Sequence, residues 1–176
     1  MLMELGPLTG TIVNIVAWLF IQLGIAYLAL KIPKEWISNE NAWFREKRWE
    51  SAVYALIKIK KWKDRLPEAG DIFKSGFSKK RLESMNRDYL RLFVVETRRG
   101  ELTHILVMLP GVLFFLWNPL YVGWIMVCYG ILVNLPFALL QRYNRHRLLN
   151  IINKQKQEAV TPPVDRSLAV IKTTDI

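Results

Sequence analysis

Charged and apolar positions fall into separate blocks along this chain. From Ile105 to Gln141 there is not one charged side chain, whereas from Lys31 to Glu101 charges crowd together. A soluble domain interleaves the two classes along its helices, so segregation on this scale points to a chain that lives partly in hydrocarbon. The first apolar stretch covers about residues 8–30, with Asn14 and Gln22 as its strongly polar interruptions. As a helix it is roughly 34 Å long, enough to cross the bilayer. A cleavable signal peptide fits less well. The first ten residues hold Glu4 and no Lys or Arg, and the apolar run is too long for a signal core, so a retained anchor is expected.

The second apolar block, Thr103 to Leu140, is too long for one helix. Asn118-Pro119 sits near its middle, and an Asn-Pro pair ends the preceding helix and starts a turn. The pattern therefore predicts a hairpin with arms over about 102–117 and 120–140. The first arm is short for a full crossing and would thin the bilayer or be partly re-entrant. Trp117, Tyr121 and Trp124 at the tip suit an aromatic belt. Pro110 predicts a kink.

Between the blocks, Trp43, Phe44, Trp49, Val53, Leu56, Ile57 and Trp62 recur at loosely helical spacing beside Lys58, Lys60, Lys61 and Lys63. That mixture predicts amphipathic helix lying in the headgroup zone, its indoles in the membrane and its lysines on phosphates; a packed soluble helix pair is the plainer alternative. A turn-rich break at Leu66-Pro67-Glu68-Ala69-Gly70-Asp71 follows, and helical periodicity returns over about 78–96 through Leu82, Met85, Tyr89, Leu92 and Phe93. The expected architecture is all-α. It is a multi-pass membrane protein with an N-terminal anchor helix, a cytoplasmic amphipathic helical loop (33–101) and a C-terminal transmembrane hairpin. Residues 1–154 form one membrane domain and 155–176 a mobile polar tail.

Composition and charge sharpen this picture. The chain has 176 residues, 52% hydrophobic and 23% charged, with a formal charge of +10. Beside apolar spans, that charge marks an anionic membrane face rather than a nucleic-acid partner. The segment from Ile32 to Leu102 holds 17 Lys/Arg against 11 Asp/Glu, and the tail from Arg142 holds 7 against 3, while the first ten residues and the hairpin tip hold no Lys or Arg. The positive-inside rule then puts the N-terminus outside and the loop and tail in the cytoplasm of a cell membrane, a parity that three crossings satisfy. A lone Cys128 excludes a disulfide framework or a cysteine zinc site, and two histidines, His104 and His146, exclude a multi-histidine iron site.

The densest polar constellation is Glu96-Thr97-Arg98-Arg99-Gly100-Glu101-Leu102-Thr103-His104. On one continuous helix Glu96 and Arg99 are neighbours, as are Glu101 and His104, although Gly100 threatens that continuity. A carboxylate on one imidazole nitrogen fixes the tautomer and makes the other a better base. If the hairpin turns between Asn118 and Pro119, His104 lies at the depth of Asn134 and Glu96 at that of Gln141. Pro136 frees backbone carbonyls in the facing helix and opens space there. Gln141, Arg142, Tyr143, Asn144 and Arg145 follow at the same boundary. Polar groups gathered at one membrane level are a functional hypothesis by default. Each also has a plainer reading: a boundary histidine often only snorkels, and arginines at helix ends often bind only lipid phosphates. His146, between Arg145 and Arg147, is expected to be solvated, and Cys128 to face lipid or packing. A Gly-x-Ser-x-Gly elbow, a Walker loop, a dinucleotide fingerprint and the His-x4-Asp pattern of glycerolipid acyltransferases are all absent.

These blocks resemble a known family. Lys61-Trp62-Lys63-Asp64-x-Leu66-Pro67-Glu68-Ala69-Gly70-Asp71, then Glu96 to His104, then Trp117-Asn118-Pro119 and Asn134-Leu135-Pro136 with Gln141-Arg142-Tyr143-Asn144-Arg145, are similar to the glycosyl-4,4'-diaponeurosporenoate acyltransferases of staphyloxanthin-type carotenoid biosynthesis. The likeness covers about Trp43 to Leu148. It implies a small membrane enzyme that transfers a fatty acyl group onto the 6-hydroxyl of a sugar already esterified to a C30 carotenoid acid. On that reading His104 is the base, Glu101 or Glu96 orients it, and Asn134 or Arg99 stabilises the oxyanion. Arg142, Arg145 and loop cations such as Lys63 would hold the phosphates of an acyl-CoA or similar donor, with Trp62, Gln141 and Asn144 in the substrate-binding set. The partners are then the acyl donor, a glycosylated carotenoid or related glycolipid, and anionic lipids; no metal or other cofactor is required. The rival expectations are a non-catalytic lipid-binding or scaffold protein and a small membrane methyltransferase.

Overall fold

The computed structural model describes residues 6–38, 42–66 and 84–160. Among these residues six α-helices follow one another: α1 (Pro7–Leu30), α2 (Lys34–Ser38), α3 (Glu50–Leu56), α4 (Ile59–Trp62), α5 (Arg87–Met108) and α6 (Leu120–Val160). Short 3₁₀ segments extend α4 over Lys63–Arg65 and α5 over Leu109–Leu116. There is no strand among the described residues. Three helical runs are long and apolar enough to cross a membrane: Pro7–Leu30, Arg87–Leu116 and Leu120–Val160. The all-α class expected from the block pattern is present among the described residues, with three helical runs of membrane-spanning length.

The anchor helix falls where the apolar run placed it, opened by Pro7 in its first turn, a position where the missing N–H costs nothing. The hairpin differs from expectation in both arms. Helix α5 begins far upstream, because the Asn86 side chain accepts the Asp88 N–H at 2.9 Å and Asp88 adds negative charge to the first turn. It then runs through Gly100 without a break. The first arm is thus the C-terminal part of a 30-residue helical run. At Pro110 the ring cannot donate to the carbonyl four residues back, and the α-helix tightens into the 3₁₀ segment that carries the chain to the turn. Helix α6 continues through Pro136 and past residue 154 to Val160, so the first residues of the expected tail are helical. Residues 67–71 of the expected break, 78–83 of the returning periodicity and 161–176 of the tail lie outside the described residues.

Helices α5 and α6 form the antiparallel body, and α1 packs beside them. Two glycines on the hairpin permit close approach. A Cβ on Gly111 would lie 3.3 Å from Val127 Cα on the other arm, and one on Gly130 would meet Trp18 of α1 at 2.6 Å. Trp18 is buried, stacked on Phe114 with ring centroids 4.9 Å apart, and joined by Val107. At the hairpin tip a reciprocal amide pair ties α1 to the turn. Asn14 Nδ2 donates to Asn118 Oδ1 at 3.0 Å, Asn118 Nδ2 returns a bond at 2.8 Å, and Trp117 Nε1 adds a third at 2.8 Å. In hydrocarbon such amides need one another because no water can serve them. Gly130→Ala is expected to destabilise the protein by about 1–3 kcal/mol, since the stacked Trp18 ring has little room to retreat. Thermal unfolding in detergent measures this, and an unchanged midpoint would mean that Trp18 is not what holds α1.

Candidate active site

Several arginines and carboxylates meet near the junction of α5, α6 and the loop, and burial decides how they pair. Glu101 on α5 is 2% exposed, and its two oxygens go to α6: Oε1 accepts from Arg142 Nη1 at 2.7 Å and Oε2 from Arg145 Nη1. Arg142 Nη2 reaches on to Glu50 of α3 at 2.7 Å. His146 Nε2 lies 3.1 Å from the same Glu50 carboxylate, with Glu46 3.6 Å from Nδ1. Phe44 is buried between two guanidiniums, its ring centre 5.2 Å from Arg98 and 5.1 Å from Arg145. A charge this buried is tolerable only when paired and hydrogen-bonded. The network therefore fastens the loop to the hairpin.

Two assignments change as a result. Arg142 and Arg145 are not open to donor phosphates, because they are committed to Glu50 and Glu101, and Arg145 is fully buried. His146 is not solvated; it is 5% exposed and faces two carboxylates. Burial by itself would raise the Glu50 carboxyl, but the hydrogen bond and charge of Arg142 outweigh it and hold the group below the usual carboxylate range. Burial, and then the Glu50 carboxylate, push the neighbouring Tyr54 phenol upward. A lowered carboxyl contributes stability that is complete above its unfolded value, near 4.5, and is lost as pH falls through the lower folded value. The expected result is a wild-type melting temperature that drops on acidification below about pH 4.5 more steeply than that of Glu50→Gln. Parallel curves would show that Glu50 does not carry this linkage.

Arg98 and Arg99 have equally definite partners. Arg99 Nη1 donates to the carbonyls of Ala29 at 2.7 Å, and of Leu30 and Ile32 at 3.0 Å each, while Nε sits 3.2 Å from Glu96. Arg98 Nη1 donates to Ile37 O at 2.9 Å and Ser38 O at 2.6 Å. The two guanidiniums thus cap the chain at and just beyond the ends of α1 and α2, where carbonyls run short of helical donors. The expected Glu96–Arg99 pair forms, and the guanidinium it accompanies is engaged in capping the end of α1.

His104 is the expected residue whose surroundings suit proton chemistry. Its Nδ1 lies 3.1 Å from Asn134 Oδ1, and its ring stacks on Phe137 with centroids 5.0 Å apart. Asn134 is buried, and its Nδ2 donates to Gly130 O at 3.0 Å. A carbonyl only accepts, so that bond fixes which way the amide points. Oδ1 must then face His104, the proton must sit on Nδ1, and Nε2 becomes the basic nitrogen. The equal-depth pairing of His104 with Asn134 is thus present, but the amide orients the imidazole while Glu101 serves the arginines. Of the remaining expected residues, Gln141 is half-buried with its Oε1 out of contact with solvent and lacking a hydrogen-bond partner. Asn144 and Lys63 are half-buried. Trp62 is not a free headgroup anchor; its Nε1 donates to Ile57 O at 2.9 Å, closing the turn at Lys58, whose φ is 50°. Trp43 and Trp49 are exposed, as is Cys128 on α6. No group of three metal-ligating side chains converges among the described residues.

Glu50 and Gly130 contribute here without having been singled out from the sequence, and Arg98 and Phe44, named there, take roles that the pattern did not assign. Glu50 gave one signal, a carboxylate set among the aromatic and basic residues that begin a helix.

Comparison with known proteins gives a consistent result. A family model described as glycosyl-4,4'-diaponeurosporenoate acyltransferase matches residues 40–154. A protein of that name from Staphylococcus haemolyticus is 37% identical over 134 residues, covering 74% of this chain and 78% of the relative. Namesakes from Staphylococcus aureus are 29% identical: over 147 residues in strain bovine RF122 / ET3-1, covering 80% of this chain and 86% of the relative, and over 148 in strain Newman, covering 80% and 87%. No solved structure matches.

Proposed function

The chain belongs to the glycosyl-4,4'-diaponeurosporenoate acyltransferase family, and from that membership together with the site geometry we propose how it works. It is an acyltransferase that esterifies a sugar hydroxyl of a glycosylated carotenoid acid. The N-terminus and hairpin tip lie outside, and the loop and C-terminal end of α6 lie in the cytoplasm. Asn134 then falls about 9 Å inside the level of Leu140, at 1.5 Å per residue, so the His104–Asn134 pair sits in the inner part of the hydrocarbon layer.

The acceptor's sugar descends to this depth while its polyene stays in the bilayer. The acyl donor, a CoA thioester or similar, reaches it from the cytoplasmic side. His104 Nε2 takes the proton from the attacking hydroxyl; the oxygen adds to the thioester carbonyl, and the tetrahedral intermediate expels the thiolate, which takes up that proton. The low-dielectric surroundings strengthen each of these polar contacts. With Arg142 and Arg145 engaged in ion pairs, exposed loop cations such as Lys58, Lys60 and Lys61 meet donor phosphates and anionic lipid.

The observation that carries the reading is the contact of His104 Nδ1 with Asn134 Oδ1 at 3.1 Å, with Asn134 Nδ2 donating to Gly130 O; the tautomer with Nε2 basic is inferred from it. A scaffold protein has no need of a histidine held with its basic nitrogen defined. Purified protein in detergent, given acyl-CoA and glycosylated carotenoid, is expected to yield ester unaided. Failure to do so, together with unchanged pigment in cells lacking the chain, would overturn the reading.

A further inference from the structure

Tryptophan exposure follows depth in this protein. Trp18, in mid-span, is buried, and Trp62 and Trp117 spend their indole N–H groups on Ile57 O and Asn14 Oδ1. Trp124, near the hairpin tip, is open. So are Trp36, Trp43 and Trp49, on the stretch that carries α2 and leads into α3, where the rings are 74%, 53% and 58% exposed. Each of these three stands immediately before a buried residue: Ile37, Phe44 and Glu50. The stretch is packed onto the hairpin while its indoles are left outside.

The buried neighbours fix its depth. Arg98 of α5 holds Ile37 O and Ser38 O, Phe44 lies between Arg98 and Arg145, and Arg142 holds Glu50 and, at 3.3 Å, Arg45 O. These arginines mark one end of the apolar span. From Tyr121, exposed at the tip, to Arg142 helix α6 rises about 32 Å, and from Asn14 to Lys31 helix α1 rises about 26 Å, at about 1.5 Å per residue. Both lengths match a hydrocarbon layer of roughly 30 Å. The exposed tryptophans thus lie at two levels one hydrocarbon thickness apart, as in an interfacial aromatic belt.

Charge at the loop level points the same way. Lys31 Nζ lies 4.5 Å from the centre of the Tyr27 ring, and Lys47 Nζ 6.0 Å from that of Trp49. Both rings are exposed, and exposed Lys34 is two positions from Trp36. A ring with an ammonium beside it suits the headgroup layer, where the ring meets the upper acyl carbons and the cation meets phosphate.

We propose that residues 31–38 and 42–50 lie on the inner membrane surface as an anchor, with Trp36, Trp43 and Trp49 in the headgroup layer and Lys31, Lys34 and Lys47 on the phosphates of anionic phospholipid. A basic, indole-bearing face at this depth fits an anionic leaflet by charge and by polarity. The surface is separate from the acyl-transfer reading: none of its residues has a part in the chemistry at His104, and its test measures no ester.

The test uses the full chain in nanodiscs of phosphatidylcholine and phosphatidylglycerol. The emission removed by combining Trp36→Phe, Trp43→Phe and Trp49→Phe is expected to be quenched by lipid brominated near the headgroup end of its chains and sheltered from aqueous acrylamide. Emission open to acrylamide and untouched by brominated lipid overturns the proposal and leaves the face to water or a soluble partner. A second measurement begins with the wild type. The lipid that stays bound through detergent extraction is expected to be enriched in phosphatidylglycerol, and the enrichment to weaken with added salt. In the combined Lys31→Gln, Lys34→Gln and Lys47→Gln variant it should fall about fivefold or more. Absence of enrichment in the wild type, or enrichment that the three substitutions leave unchanged, overturns the assignment to anionic lipid.

Discussion

His104→Ala is expected to lower ester formation by about 10²–10⁴-fold while the three long helices still assemble. The loss follows from the locked tautomer: with Nδ1 on Asn134 Oδ1 at 3.1 Å, Nε2 is the nitrogen that carries the lone pair, and nothing equivalent replaces it. The imidazole is half-buried and stacked on Phe137, so its removal leaves a modest cavity rather than an unpaired charge. Asn134→Leu separates orientation from proton transfer. It removes the acceptor that holds Nδ1–H, so kcat should fall and the pH–rate profile should move, while the imidazole itself remains. The measurement is turnover per folded molecule, normalised by detergent gel filtration, across pH. Wild-type turnover in His104→Ala would remove the histidine as base, and an unaltered profile in Asn134→Leu would remove the amide as its orienter.

The parts of this site that the sequence disclosed share a cause. The register of a hairpin is set by its turn, and Asn118-Pro119 fixes the turn, so the meeting of His104 with Asn134 follows from counting along two antiparallel rods. Spacing along one helix likewise gave Glu96 beside Arg99. What counting cannot give is rotation about the helix axis or the return path of the loop. Glu101 is three residues from His104, yet it serves Arg142 and Arg145 because they reach it first across the α5–α6 seam. Glu50 enters from a loop whose path depends on Phe44 finding its place between two guanidiniums. Where many charges share one depth, pattern names the participants, and packing chooses the partners. The ends of α5 and α6 escaped prediction for a related reason: hydropathy marks where hydrocarbon ends, whereas these helices continue beyond it under amphipathic packing of Leu90, Phe93 and Val94 against Leu148.

Glu101→Ala is the sharpest test of that division between network and catalyst. Removing this carboxylate leaves Arg142 with Glu50 alone and strips Arg145, fully buried, of its ion-pair partner. Deleting one member of a buried pair costs about 3–5 kcal/mol, because the remaining charge stays desolvated. The expected result is a large fall in thermal stability in detergent and a poor yield of folded protein. The fraction that does fold should keep most of its turnover, since His104 is oriented by Asn134. Had Glu101 instead held the imidazole, the variant would lose rate and keep its stability. The two readings predict opposite patterns from one substitution, and Glu101→Gln repeats the comparison with shape preserved and charge removed. A stable, slow Glu101→Gln protein would return the carboxylate to the catalytic group and demote the amide; an unstable one with normal turnover per folded molecule assigns it to the clamp that fastens the loop to the hairpin.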